Sequence, residues 1–196
     1  MLVRISKNQG FTLIELIAGI VVFGVALAIV TSLVANQSRQ SIDPIWQVRA
    51  VELGQSLLNE INAKAFDENA DLLGGFDRCN EITLCSTSLQ LGVDDAESRA
   101  AFDDVDDYHG LDATGGDILN SLGERLVSTE RNLYEGFRAQ VVVFYDDNLD
   151  GINDDDLDQD GNLDTGTLIG NRKLIQITIQ TPAGDSISLS FVKANF

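Results

Sequence analysis

The chain has 196 residues, and its 31 acidic and 13 basic side chains give a formal net charge of −18. This length leaves room for one domain of ordinary size besides an anchor segment. A surface this acidic repels phosphate backbones, and the isolated pair Arg172–Lys173 does not offset it, so direct binding of nucleic acid is disfavoured. An acidic surface does attract divalent cations.

The N-terminal part combines a basic leader with a long apolar segment. The leader, residues 1–10, contains Arg4 and Lys7 and no acid, and the only formal charge from residue 11 to residue 35 is Glu15. As a helix, the apolar segment would be roughly 37 Å long, enough to cross a bilayer core of about 30 Å. It is too long for the apolar core of a cleaved secretory signal. We therefore predict a transmembrane helix over 11–35, with the leader in the cytoplasm and the rest of the chain on the other side.

Glu15 is the ionisable residue inside this segment. An ionised side chain costs about 2.5 to 3.5 kcal/mol at the centre of a span and less near its end, so its presence indicates a function and a partner. A free N-terminal amine one helical turn away would be such a partner if the chain were cut after Gly10. The alternative is a simple signal anchor with a chance glutamate.

The sequence GFTLIE at residues 10–15, between the basic leader and the apolar helix, resembles the start of type IV prepilins. The resemblance implies that a prepilin peptidase cuts after Gly10 and methylates the new N-terminus, Phe11. It also implies that Glu15 pairs with the amine of a neighbouring pilin subunit during filament assembly. The protein would then be a single-pass protein of the inner membrane with a periplasmic C-terminal domain, and later a component of the pilus at the cell surface.

Apolar residues continue at helical spacing beyond the membrane segment, but on one face only. The simplest interpretation is one long helix over 11–66 with a kink or break at Pro44, where Ser41 and Asp43 could cap a restarted helix. Its first half needs lipid or other subunits around it, whereas its second half needs a sheet to cover the apolar stripe. The stripe comprises Ala50, Leu53, Gly54, Leu57, Ile61 and Ala65.

Residues 67–132 give weak signals and correspond to the variable region that links helix to sheet in pilins. Cys79 and Cys85 are the only cysteines, and their spacing predicts a local disulfide in an oxidising compartment, which stabilises by about 2 kcal/mol. A zinc site would need more ligands than these thiols and the distant His109. No nucleophile motif accompanies His109, so we expect it to structure a loop rather than to catalyse.

Residues 133–196 predict an antiparallel sheet of three or more strands. Apolar and other side chains alternate in the runs 137–145, 175–180 and 187–192, and a turn at 182–185 separates the last two. The apolar face of this sheet would cover the helix stripe. Helix and sheet together give the α+β architecture of type IV pilins.

The stretch 146–166 between the first two predicted strands contains no lysine or arginine. It holds the pattern D-x-N/D-x-D-G-x-x-D twice, and alternating oxygen ligands followed by a turn-forming glycine are typical of calcium loops. Because Leu157 and Thr167 replace the bidentate glutamate of an EF-hand, we expect weak binding, at about 0.1 to 1 mM. The alternative is a disordered acidic loop. The predicted ligands are Asp146, Asn148, Asp150 and Asp154 for one ion and Asp156, Asp158, Asp160 and Asp164 for the other.

Four further segments resemble the D-type minor pilins of the mannose-sensitive haemagglutinin (MSHA) pilus: 48–55 (VRAVELGQ), 59–61 (NEI), 65–69 (AFDEN) and 102–110 (FDDVDDYHG). The resemblance implies a non-enzymatic subunit, present in few copies, that contributes to the initiation of pilus assembly and to surface adhesion. A minor pseudopilin of a type II secretion system shares the same leader and fold and is the nearest alternative. An alternative of another class is a membrane-anchored periplasmic calcium-binding module or enzyme.

Overall fold

The computed structural model describes residues 12–40, 43–70, 78–94, 97–128 and 131–195. The predicted leader and the processing residues Gly10 and Phe11 lie outside these ranges. The chain divides into two compact units, Met1–Ile45 and Trp46–Phe196. The first unit holds an apolar helix, and the second holds the hydrophobic core and the sheet.

Helix α1, Leu13–Gln40, is the main element of the first unit. Its part Leu13–Thr31 is long and apolar enough to cross a membrane. The large apolar side chains of this part are exposed, from 77 % at Leu13 to 49 % at Ile17 and Leu27. An apolar surface of this extent requires lipid or other subunits around it.

Helix α2 spans Asp43–Asn62 and has Pro44 in its first turn. Backbone N–H groups in the first turn have no acceptor within the helix, so the N–H that proline lacks costs no helical hydrogen bond here. The predicted capping residue Ser41 lies outside the described residues. The sequence predicted that this helix continues to Phe66, and that prediction is wrong, because α2 ends at Asn62.

The backbone after α2 turns away from the helix axis to pair with another segment. Lys64 N–H donates to Ile61 O at 3.1 Å in a tighter turn, and Ala65 N–H donates to Asp103 O at 3.1 Å within a parallel bridge between Ala65 and Asp104. Ala65 continues the apolar spacing of the helix in sequence, although its N–H is bonded elsewhere. The spacing of apolar residues alone therefore could not reveal that α2 ends at Asn62.

An antiparallel sheet of four strands follows in the order β1-β4-β5-β6, and β2 and β3 form a separate hairpin. The runs predicted as strands correspond to β4, β5 and β6, and the pilin-like α+β fold is confirmed. Strand β1 lies within residues 67–132, where the sequence signals are weak, and its three residues are too few to show an alternating pattern. The strand bounds are β1 Asp112–Thr114, β2 Val127–Ser128, β3 Arg131–Asn132, β4 Arg138–Tyr145, β5 Arg172–Gln180 and β6 Ser186–Ala194.

The core of the second unit lies between α2 and one face of the sheet. The predicted helix stripe is buried as far as Ile61, and so are the alternating apolar residues of β4 and β5. Gly54 marks the closest approach, because a Cβ at this position would come within 2.5 Å of Leu189 Cδ1. The buried apolar residues of these elements are Ala50, Leu53, Leu57, Ile61, Ala139, Val141, Val143, Ile175, Ile177 and Ile179.

A smaller buried cluster contains Phe66, Tyr145 and the two cysteines. Cys79 and Cys85 form the disulfide that the sequence predicted, with their Cα atoms 4.8 Å apart. Tyr145 Oη donates to Ser86 O at 2.6 Å, so the cysteine loop is hydrogen-bonded to the end of β4.

Candidate functional sites

Residues of the predicted processing motif cap the N-terminus of α1. Thr12 Oγ1 accepts a hydrogen bond from Glu15 N at 3.4 Å, and the Glu15 carboxylate accepts one from Thr12 N at 3.5 Å. These two long, reciprocal bonds form a capping box of the T-x-x-E type. The pattern is visible in the sequence, but the sequence reasoning assigned Glu15 only to the amine of a neighbouring subunit.

The helix face that carries Glu15 is open to a neighbouring group. Gly19 and Phe23 follow at intervals of four residues and therefore lie on the same face. A Cβ at Gly19 would meet no atom within 4 Å, and these three residues line a groove along α1. Pairing of Glu15 with an N-terminal amine at Phe11 stays a prediction, because Phe11 lies outside the described residues.

The acidic loop between β4 and β5 consists of two consecutive ten-residue units, Tyr145–Asp154 and Asp155–Asp164. Each unit closes with a hydrogen bond between its last and first residues. Asp154 N donates to Tyr145 O at 3.0 Å, and Asp164 N donates to Asp155 O at 2.6 Å. The repeated sequence pattern is therefore a repeated structure.

The first aspartate of each pattern holds the turn of its unit. Asp146 Oδ1 accepts the N–H of Asp150, and Oδ2 accepts the N–H of Gly151, both at 3.0 Å. The same two bonds recur ten residues later, from Asp160 N and Gly161 N to Asp156. The two glycines have φ angles of +81° and +86°, a backbone region that other residues rarely adopt.

The oxygen atoms that could hold a cation converge in the second unit. Carboxylate oxygens of Asp156, Asp158 and Asp160 lie within 4.8 Å of one another, and an ion with ligands at about 2.3 to 2.6 Å can bridge such a gap. In the first unit the middle position is Asn148, whose Nδ2 donates to Asp150 Oδ2 at 3.1 Å. The first unit therefore offers a cation one negative charge fewer.

Asp155, the buried residue where the two units join, anchors the loop to the rest of the fold. Its carboxylate accepts hydrogen bonds from Ser88 Oγ, from Thr165 N and Oγ1, and from Gly166 N. Burial opposes ionisation, but these hydrogen bonds outweigh it and lower the pKa of Asp155. The sequence did not indicate a role for Asp155. It lies in a run of aspartates, and only its position outside the repeated ligand pattern distinguishes it from the others.

Asp147 fixes the point where the loop returns to the sheet. Its Oδ1 accepts the N–H groups of Asn171 and Arg172 at 2.8 and 2.7 Å. Asp146 N also donates to Arg172 O at 3.1 Å, which continues the pairing of β4 with β5. With its start, middle and return all hydrogen-bonded, the loop is an ordered element rather than a disordered segment.

His109 has a structural role beside the sheet. Its Nδ1 accepts the N–H of Val143 at 3.2 Å, and its backbone N–H donates to Asp106 O at 2.8 Å. Within the described residues, the hydrogen bond of the imidazole is the one from the backbone of Val143. The loop-structuring role expected from the sequence agrees with these contacts.

A second group of carboxylates lies outside the aspartate loop. Oxygen atoms of Asp94, Glu97 and Asp107 lie within 4.8 Å of one another. Burial, followed by the charges of Asp103, Asp94 and other nearby acids, raises the pKa of Glu68 to about 7. The acidic run of the sequence did not indicate that Glu68 folds against it. Glu68 therefore binds a proton more readily than a free glutamate does.

Comparison with known proteins identifies the N-terminal segment. The family model described as Prokaryotic N-terminal methylation motif matches residues 5–31, which include Gly10, Phe11 and Glu15. No curated protein and no solved structure matches the chain. The motif implies processing by a prepilin peptidase and assembly with other pilins as a structural subunit, and the apolar helix α1 indicates a single membrane anchor. The chain therefore carries a type IV prepilin-like N-terminal methylation motif ahead of a pilin-like α+β fold.

Proposed function

We propose that the protein is a minor pilin of an MSHA-type type IV pilus, which contributes to the initiation of assembly and to surface adhesion. The observation that carries the proposal is Glu15, which lies within the methylation motif on the open face of an exposed apolar helix. An ionisable group in such a helix needs a partner. The free amine of a cleaved neighbouring subunit supplies the opposite charge.

The fold also supports the finer part of this proposal. Two of the four segments that resemble D-type minor pilins, 65–69 and 102–110, pair through the bridge between Ala65 and Asp104. In the second of these segments, Asp107 Oδ2 accepts the N–H groups of Asp103 and Asp104 at 3.0 and 3.3 Å. The resembling residues thus build one local structure next to the end of α2.

Replacing Glu15 with alanine tests the assembly role. We expect Glu15→Ala to insert into the membrane and to be cleaved after Gly10, but to be lost from sheared surface fibres, because the amine of the neighbouring subunit has no carboxylate to meet. Immunoblots of membrane and fibre fractions measure this, and mass spectrometry of the N-terminus reports cleavage and methylation at Phe11. Thr12→Ala is the matched control, since it removes the side-chain cap but keeps the acid, and it should enter fibres normally.

Two results would contradict the proposed function. Incorporation of Glu15→Ala at the level of the unmodified protein would remove the assembly role of Glu15. Recovery of the unmodified protein with a type II secretion apparatus, rather than in surface fibres, would favour the pseudopilin alternative.

We also propose that each unit of the aspartate loop binds one calcium ion. The support is the repeated turn geometry, the convergence of three carboxylates in the second unit and the ordered return of the loop into β5. A bound ion would offset the mutual repulsion of these acids and stiffen the loop. In a minor pilin, a stiff loop would present a defined surface for attachment.

Thermal unfolding with calcium and with EGTA tests the calcium sites. If the Kd is about 0.1 mM, calcium at about 1 mM stabilises by roughly 1.4 kcal/mol per site. We expect Asp150→Ala and Asp160→Ala each to remove one site's share of the calcium-dependent shift, and the double variant to remove all of it. Asp185→Ala, which changes an exposed acid outside the loop, is the control and should keep the full shift. An identical transition with calcium and with EGTA would contradict the proposal.

A further inference from the structure

Lys173 is a fully buried lysine on β5, and its ammonium group contacts two aspartates. Its Nζ lies 2.6 Å from Asp106 Oδ1 and 3.0 Å from Asp67 Oδ2, and it donates a third hydrogen bond to Phe66 O at 2.8 Å. The side chains of Lys173 and Asp67 are 0 % exposed and that of Asp106 is 5 % exposed. An amine and two carboxyl groups are thus held in contact away from solvent.

Aromatic rings form the walls of this site. The Lys173 Nζ lies 4.2 Å from the ring centroid of Phe66 and 5.4 Å from that of Tyr145. Both rings belong to the small buried cluster that also contains the disulfide. A dry, apolar environment disfavours charged side chains and makes a neutral lysine amine a better nucleophile.

The two aspartates have different hydrogen-bond environments. Asp67 Oδ1 accepts the N–H of Asn69 at 3.1 Å, and Asp67 Oδ2 accepts the N–H of Ser86 at 2.9 Å. In contrast, Asp106 Oδ2 is buried and has no hydrogen-bond partner among the described residues. Because a buried charge without a hydrogen-bond donor is costly, this environment favours the neutral acid form of Asp106 over the anion.

The direction of the pKa shifts agrees with this difference. Burial raises the pKa of Asp106 well above its ordinary value, although the charge of Lys173 opposes the shift. Burial also acts on Asp67, but the charge of Lys173 and the N–H groups of Ser86 and Asn69 outweigh it and lower the pKa of Asp67. Asp106 is therefore the neutral acid of the pair, and Asp67 is the carboxylate.

From this geometry we propose that Lys173 and Asp106 condense to an intramolecular isopeptide bond, with Asp67 as the general base. Asp67 Oδ2 takes a proton from the Lys173 ammonium, and the neutral Nζ attacks Cγ of the protonated Asp106 carboxyl group. The new C–N bond forms, the C–O bond to one carboxyl oxygen breaks, and that oxygen leaves as water. The step requires no oxidant or co-reactant, and the proton from Lys173 stays on Asp67, so atoms and charges balance.

The product fits the same contacts. The amide nitrogen keeps one N–H, which can still donate to Phe66 O. The buried charges of Lys173 and Asp67 are replaced by a neutral amide and a neutral acid, which a dry site accommodates at lower cost. The bond would join β5 to the turn Asp106–Tyr108 and would fasten that segment to the sheet even when the fold is strained.

The mass of the full-length protein in detergent tests the proposal. After reduction of the disulfide, and with N-terminal processing counted, the protein should be lighter than its sequence by one water. A tryptic digest should yield one branched peptide that joins Lys173 to Asp106, with no cleavage after Lys173. A full sequence mass, with Lys173 cleaved by trypsin, would leave only an ion pair and overturn the proposal. A branch from Lys173 to Asp67 would overturn the assigned roles.

Two isosteric variants distinguish loss of the condensation reaction from loss of the fold. Asp106→Asn can still condense, with loss of ammonia instead of water, so its linked product should have the same mass as the linked unmodified protein. Asp67→Asn keeps the reacting pair but lacks the base, and it should remain unlinked.

Asp104→Asn changes the neighbouring buried acid that does not hydrogen-bond to Lys173, and as the matched control it should stay linked. An Asp67→Asn variant that links as completely as this control would contradict the role of Asp67.

Discussion

Asp104 is a single buried carboxyl group whose protonation state affects the stability of the folded protein. Its Oδ1 accepts the N–H groups of Asp106 and Asp107 at 2.7 and 3.2 Å, and the residue is 3 % exposed. Burial, followed by the negative charge of Asp107, raises the pKa of Asp104 from 3.8 to about 6. The folded state therefore binds a proton here more tightly than the unfolded chain does.

This pKa shift predicts that the contribution of Asp104 to stability falls as the pH rises between 3.8 and about 6. In that range the folded state holds more protons than the unfolded state, so the free energy of unfolding has a negative slope against pH. Asp104→Asn should keep both accepted hydrogen bonds, remove the slope contributed by Asp104, and stabilise the protein by on the order of 2 kcal/mol at higher pH. Urea unfolding across this pH range, in EGTA, measures both effects.

Asp112→Asn is a suitable comparison for Asp104→Asn. Asp112 is exposed and pairs with Arg138, and that hydrogen bond lowers its pKa. Its substitution should therefore not stabilise the protein at high pH. A pH slope that is unchanged in Asp104→Asn would contradict the assignment.

At the scale of elements, the contact between α2 and the sheet depends on the missing side chain of Gly54. A side chain there would collide first with Leu189 on β6 and would also lie near Ile179 on β5. Glycine inside a helix costs about 1 kcal/mol relative to alanine. The close approach of α2 to the sheet accounts for glycine at this position.

We predict that Gly54→Leu destabilises the second unit by about 1 to 3 kcal/mol, because the larger side chain forces α2 away from β5 and β6. Ser56→Leu adds the same side chain to an exposed position of the same helix and should change stability by less than about 0.5 kcal/mol. Urea unfolding of both variants gives the comparison. Equal stability of the two variants would show that the helix and the sheet do not pack closely at Gly54.

The sequence could predict the elements that show a local pattern of residues, but not those that depend on pairing with distant segments. Strands β4 and β5 were predictable because buried residues such as Ala139 and Ile177 alternate with polar ones. Strand β1 and the end of α2 were not, since both depend on pairing with distant segments. The repeated turns of the aspartate loop were visible because each is formed by residues close together in the sequence.

The anchoring and buried ionic residues could not be recognised from the sequence. Asp155 contacts Ser88 from a distant segment, and Lys173 meets Asp67 and Asp106 only after the chain has folded. In both cases the partners are far apart in sequence and have no fixed spacing. The repeated turns of the loop were therefore predictable from the sequence, but its attachment to the rest of the fold was not.

At the scale of the whole molecule, the second unit contains the complete hydrophobic core of the described residues. The buried apolar side chains there begin at Ala50, and the described side chains of α1, those of residues 13–31, are all exposed. We predict that a chain starting at Ser41 folds as a soluble protein with the same thermal transition as the full-length protein in detergent. Circular dichroism of the two proteins measures this.

The truncated protein should also retain the disulfide and any calcium-dependent shift. Cys79, Cys85 and the aspartate loop all lie within Trp46–Phe196. A truncated chain that remains unfolded under the same conditions would show that α1 contributes to the stability of this unit.

Each unit of the aspartate loop is closed by a hydrogen bond between its last and first residues, and this closure determines how the length of the loop can change. Because Asp154 bonds back to Tyr145 and Asp164 bonds back to Asp155, each unit brings the backbone back to its own starting point. Duplication of the second unit in the gene would lengthen the loop by one unit and leave β4, Arg138–Tyr145, and its pairing with β5 unchanged. Related subunits could thus differ in reach and in ion capacity on an unchanged scaffold.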